Sequence, residues 1–123
     1  MNRSENMSSK KGKEPSEIYY QKLVRNKIPE IILDQHEKPI FRILSEQEYQ
    51  KELLHKLEEE VKEVVEATTS TEVLMECGDV LQVLEDILKH YHYTLDDLID
   101  QKRKKEAQRG SFDDRFFLEK VVK

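Results

Sequence analysis

Between Glu58 and Glu66 the chain carries five glutamates, at 58, 59, 60, 63 and 66, and a second acidic pair, Glu76 and Asp79, follows closely. Read as E-x-x-E, twelve intervening residues, then E-x-x-D, the pattern places two carboxylate pairs at helical spacing. Carboxylates that converge from two helices repel unless cations neutralise them. Their oxygens suit hard ions such as Mg²⁺ or Mn²⁺, which share their remaining ligand positions with water and substrate phosphates. Such a site lowers the pKa of bound water and offsets charge on a leaving phosphate, so the pattern points to phosphoanhydride chemistry. A glutamate-rich stretch alone reads as a solvated helix face. Glu76-Cys77-Gly78-Asp79 turns the reading toward a metal, because a mid-helix glycine costs about 1 kcal/mol relative to alanine and implies a close approach by a backbone or ligand.

These residues need two helices to position them. Ser45 with Glu48 forms a capping box and should open the first, ending near Ala67 because TTST (68–71) is poor in helix formers. At about 100° per residue, Leu53, Leu54, Leu57, Val61, Val64 and Val65 form one apolar stripe, with Glu60 on its rim and Glu63 about 60° further round. The next helix is expected from about Thr71 to Tyr91, its stripe running through Val73, Leu74, Cys77, Val80, Leu81, Leu84, Ile87, Leu88 and Tyr91. Glu76, Asp79 and Val83 share a flank of that stripe, so the flank is not plain solvent. Antiparallel packing across the short turn would bring both acidic pairs face to face.

Around this pair, Pro29 suits the first turn of a short helix to about Asp34, and Thr94 with Asp97 caps a last helix ending at Gly110. Residues 19–24 read as a short strand or extended arm. Residues 40–44 read as a brief strand, which the apolar closing segment from Phe112 to Val122 would pair with. Residues 1–16 are expected to be a disordered tail ahead of a single domain, 17–123. The fold expectation is therefore all-α: a helical bundle with minor short β elements near the termini.

The segments EEVKE (59–63) and ECGDVLQVLEDIL (76–88) resemble the paired acidic motifs of the all-α nucleoside triphosphate pyrophosphohydrolases, the MazG and phosphoribosyl-ATP pyrophosphohydrolase superfamily. KLVRNKIPEII (22–32) and RGSF (109–112) are similar to a branch described as predicted house-cleaning pyrophosphatases. The resemblance spans roughly residues 18–120. It implies an oligomeric helical fold and Mg²⁺-dependent cleavage of a nucleotide between its α and β phosphates, giving a monophosphate and pyrophosphate. It makes Glu60, Glu63, Glu76 and Asp79 the metal ligands and gives Glu59 the adjacent position, where it would orient water or a ligand. Asn26 stands where the opening motif often has an acidic residue. Phosphoribosyl-ATP hydrolysis in histidine synthesis is an alternative within the enzyme class; a non-enzymatic acidic module binding a basic partner is one outside it.

A triphosphate also needs cationic side chains. Lys22, Arg25 and Lys27 cluster in the opening motif, and Lys102, Lys105 and Arg109 recur on one face of the last helix. Lys22, Arg25, Lys105 and Arg109 are the candidate phosphate contacts, arginine by bidentate bonds and lysine as a point charge. The competing reading of the last helix is a basic end complementing its dipole.

Composition narrows the remaining classes. The chain has 123 residues, 38% of them charged, with a net charge of −5 and a mean hydropathy of −0.80. A body this acidic argues against a dedicated nucleic-acid binder. One cysteine, Cys77, rules out an intrachain disulfide; on its stripe it reads as a core thiol. His36, His55, His90 and His92 lack zinc spacing and read mostly as surface or helix-end residues. No apolar run reaches the length of a membrane helix and the N-terminus has no apolar signal core, so a cytoplasmic protein is expected. So short and polar a chain buries little core alone, which favours a homodimer or higher homo-oligomer.

Overall fold

Ser45 caps the helix that begins at Glu46. Its Oγ accepts the Glu48 backbone N–H at 3.2 Å, and the Glu48 carboxylate accepts the Ser45 N–H at 3.1 Å, closing the expected capping box. In the computed structural model, which describes residues 16–123, four helices follow in order: α1 (Ile28–Asp34), α2 (Glu46–Glu66), α3 (Ser70–His90) and α4 (Leu95–Arg109). The expected tail lies outside the described residues except for Ser16. No helix among the described residues is long and apolar enough to cross a membrane.

The chain divides into two units, one up to Ile43 and the other Leu44–Lys123. In the first, Pro29 occupies the opening turn of α1 as its fixed φ permits. His36 closes α1 in the left-handed region at φ 61°. Its N–H donates to Leu33 O and that of Glu37 donates to Ile32 O, which is a Schellman motif.

In the second unit, α2 and α3 are the helices packed along their length. Ala67 and Thr68 link them, and the Thr69 side chain caps α3 by accepting the Glu72 N–H at 3.2 Å. At the opposite end Gln50 Nε2 donates to Tyr91 Oη at 3.3 Å, so the pair is an antiparallel hairpin. Leu53 and Val83 are buried where the helices meet, 3% and 7% exposed. Helix α3 ends in a second Schellman motif: His92 adopts φ 65°, its N–H donates to Lys89 O and that of Tyr93 donates to Leu88 O. Thr94 and Asp97 then form the expected capping box of α4, and Gly110 closes it at φ 81°.

Two expectations are corrected. The described residues contain no strand. Residues 40–44 and the closing segment carry exposed apolar side chains, Ile43 at 92% and Phe112 at 98%. A strand needs a hydrogen-bonded neighbour, and β-branched and aromatic content alone does not provide one. The second correction concerns the apolar stripes. Leu54, Val61 and Val65 on α2, and Val73, Leu74, Cys77 and Leu81 on α3, are exposed rather than core. The buried side chains are Leu53 and Val83, which share their helix directions with Glu60 and Val64 on α2 and with Glu76 and Asp79 on α3.

Candidate metal centre

That choice of flank builds the site. Leu53, Glu60 and Val64 lie within about 20° of one direction on α2, and Glu76, Asp79 and Val83 lie within about 40° of one direction on α3. Burying Leu53 and Val83 therefore carries three carboxylates into the same seam. Glu60, Glu76 and Asp79 are each half-buried, and one oxygen from each lies within 4.8 Å of the others. Two oxygens on one hard cation stand up to roughly 4–5 Å apart, given Mg²⁺ distances near 2.1 Å and Ca²⁺ distances of 2.3–2.6 Å. The three donors are close enough to be drawn onto one divalent ion by small side-chain movements, and all are the oxygen type that Mg²⁺ or Mn²⁺ takes.

The electrostatics carry the mark of this crowding. Burial raises the Glu60 carboxyl above its usual range, and the charge of Asp79 raises it further, against a lowering by Lys56. Burial likewise raises Glu76, reinforced by Asp79 and Glu63. A cation among the three reverses the like-charge part of both shifts. Glu72, one turn before Glu76, behaves in the opposite way. The Thr69 and Thr68 hydroxyls donate to its Oε1 at 2.9 and 3.0 Å and hold its carboxyl below the usual range, so it serves the helix cap.

Of the four expected ligands, the structure gathers three. Glu63 is exposed and falls outside the trio, although near enough to raise Glu76. A three-residue step rotates the side chain by about 300°, so with Glu60 in the seam Glu63 stands roughly 60° beyond it. Glu59 is held by Lys56, whose Nζ donates to Oε1 at 3.3 Å and Oε2 at 3.2 Å. Composition and motif did not single out Lys56. Its signal was its spacing, three residues before Glu59 and four before Glu60, which puts one ammonium beside both.

Lys105 and Arg109 stand exposed on α4, and Lys102 pairs with Glu106 at 2.9 Å. Lys22 and Arg25 belong to the first unit; the Lys22 ammonium sits 5.9 Å from the centre of the Tyr20 ring. No backbone of the described residues approaches Gly78, where an added methyl would meet no atom within 4 Å. Cys77 is likewise no core thiol: it is exposed and lines an open apolar groove of about 240 Å³ with Val61, Val64, Val65 and Val80. His36 and His92 occupy helix-end positions, as expected. Set against known proteins, the chain matches no family model, no curated protein and no solved structure.

Proposed function

We propose that this protein is a Mg²⁺-dependent nucleoside triphosphate pyrophosphohydrolase, also served by Mn²⁺. It would cleave the α–β phosphoanhydride of a standard or modified nucleotide, releasing the monophosphate and pyrophosphate. The observation that carries the reading is the convergence of Glu60, Glu76 and Asp79 within 4.8 Å on two packed helices. The order of the acidic, opening and RGSF motifs supplies the reaction class, through their resemblance to the all-α pyrophosphohydrolases of the MazG type.

In this reading Glu60, Glu76 and Asp79 would hold the divalent ion, with Glu63 the fourth ligand that the resemblance implies. A bound Mg²⁺ supplies Lewis acidity toward phosphate oxygens and lowers the pKa of a coordinated water. Glu59, fixed by Lys56, orients the attacking water. One P–O bond of the bridging oxygen breaks, the water oxygen bonds to that phosphorus, and its protons pass to the carboxylates and the product phosphates. Lys105 and Arg109, the candidate cations of the unit that holds the carboxylates, would offset charge along the phosphate chain. The lone cysteine and polar composition suit a cytoplasmic enzyme.

The test is pyrophosphate release from a panel of standard and modified nucleoside triphosphates, with Mg²⁺ and then Mn²⁺. Release from at least one, abolished by Asp79→Asn with helical circular dichroism retained, is the expected result. No release across the panel would remove the proposal and leave an acidic helical module.

A further inference from the structure

Lys56 stands three residues before Glu59, four before Glu60 and seven before Glu63, so it shares their side of α2, one or two turns earlier. Its side chain is 15% exposed, whereas that of Glu59 is 41% exposed. A lysine covered to that extent lays its carbon stem along the protein and carries its ammonium to the polar edge. There the ammonium meets both oxygens of Glu59, at 3.3 and 3.2 Å. Its charge also reaches Glu60, whose carboxyl it lowers. The chain thus sets one cation beside two neighbouring carboxylates, of which Glu60 belongs to the acidic trio and Glu59 does not.

A divalent ion would draw on both glutamates. It attracts a carboxylate twice as strongly as an ammonium does at equal distance, and octahedral Mg²⁺ takes more oxygen ligands than the trio supplies. We propose that Lys56 is a positioning residue that keeps Glu59 off the ion, reserving it to orient water while Glu60 ligates. The inference rests on the metal reading above. Lys56 acts twice: it engages both oxygens of Glu59, and its own positive charge opposes the ion. Both actions lower metal affinity, and the first sustains turnover. Removing Lys56 should therefore raise ion affinity and slow the reaction. A lysine that served only to bind substrate phosphate would instead raise KM when removed and leave turnover at saturation unchanged.

The test is a double-mutant cycle on the full chain, read by Mn²⁺ binding through loss of the free-ion electron paramagnetic resonance signal. Lys56→Met keeps the stem and removes the charge. It should tighten Mn²⁺ binding roughly tenfold when Glu59 is present, but only about threefold in Glu59→Gln, where loss of charge acts alone. Lys56→Arg, whose planar fork matches a carboxylate, should bind Mn²⁺ within about twofold of native. Pyrophosphate release from the best substrate of the triphosphate panel gives the second readout. In Lys56→Met, kcat should fall about 100-fold with KM within about threefold of native, and Lys56→Arg should restore most of the loss. Mn²⁺ binding unchanged or weakened in Lys56→Met overturns the proposal, as does equal tightening with and without Glu59. A raised KM at native kcat also overturns it, assigning Lys56 to the substrate phosphates. If the native chain binds no Mn²⁺, the metal reading falls and this inference with it; if native and Lys56→Met bind alike, this inference alone falls.

Discussion

Replacing Glu60 with glutamine should have opposite effects on stability with and without metal. Its carboxylate oxygen lies within 4.8 Å of one on Asp79. At that separation two unit charges repel by about 1 kcal/mol in water and about 3.5 kcal/mol at an effective dielectric of 20. Both groups are half-exposed, so the lower figure governs, and Lys56 returns a few tenths of a kcal/mol through its helical spacing. In chelator at pH 8, Glu60→Gln should therefore be more stable than the native chain by about 1 kcal/mol, raising Tm by roughly 4–8 °C for a unit of this size. With Mg²⁺ at a hundred times its Kd, the native chain gains about 2.7 kcal/mol. A variant binding 10–100-fold more weakly gains about 0.4–1.4 kcal/mol. The order of stabilities should then reverse, the native chain leading by up to ~1 kcal/mol. Thermal melts followed at 222 nm, in chelator and across a Mg²⁺ series, measure both limits. A variant less stable than native in chelator, or equal Mg²⁺ stabilisation of both proteins, would remove Glu60 from a shared cation site.

Three further outcomes follow from the same geometry. Burial and like charge raise Glu60, so the folded state favours its protonated form. Its contribution is fully present below the unfolded value of 4.5 and lost as pH rises through the raised folded value; the gap between Glu60→Gln and native in chelator should close below about pH 4 and open above it, as urea melts across pH would show. Gly78→Ala should stabilise by about 1 kcal/mol in denaturant melts, since the added methyl meets nothing within 4 Å; a loss of stability would mean that another chain packs there. His92→Gly should raise stability by roughly 0.5–1 kcal/mol by relieving the left-handed φ of 65°, and a loss would show that the imidazole contributes more than its backbone costs.

Local chemistry made much of this molecule legible. Ser45 with Glu48, Thr94 with Asp97, and Gly110 mark helix ends through side-chain capping and backbone freedom, and these need no distant partner. The seam was legible for a similar reason: Val83 shares a flank with Glu76 and Asp79, and burying the valine draws the acids inward. The outward turn of the stripes was not. Periodicity tells which residues share a face, and what covers that face depends on atoms outside the helix. The same gap explains the absent strands, because Ile40, Phe41 and Ile43 have strand chemistry but no ladder to join. Glu63 stands about 60° past the seam, where the helical periodicity sets it, and Gly78 shows that an unfavourable residue is not by itself evidence of a neighbour within the chain.

In the proposed function Glu60, Glu76 and Asp79 together bind one divalent cation. Mn²⁺ binding to the full chain, followed by loss of the free-ion electron paramagnetic resonance signal, tests it most directly, with Asp79→Asn as the comparison. Expected is one saturable site per chain, competed by Mg²⁺ and weakened roughly 10–100-fold in the variant. Equal Mn²⁺ binding by native and variant proteins, or none by either, would contradict it.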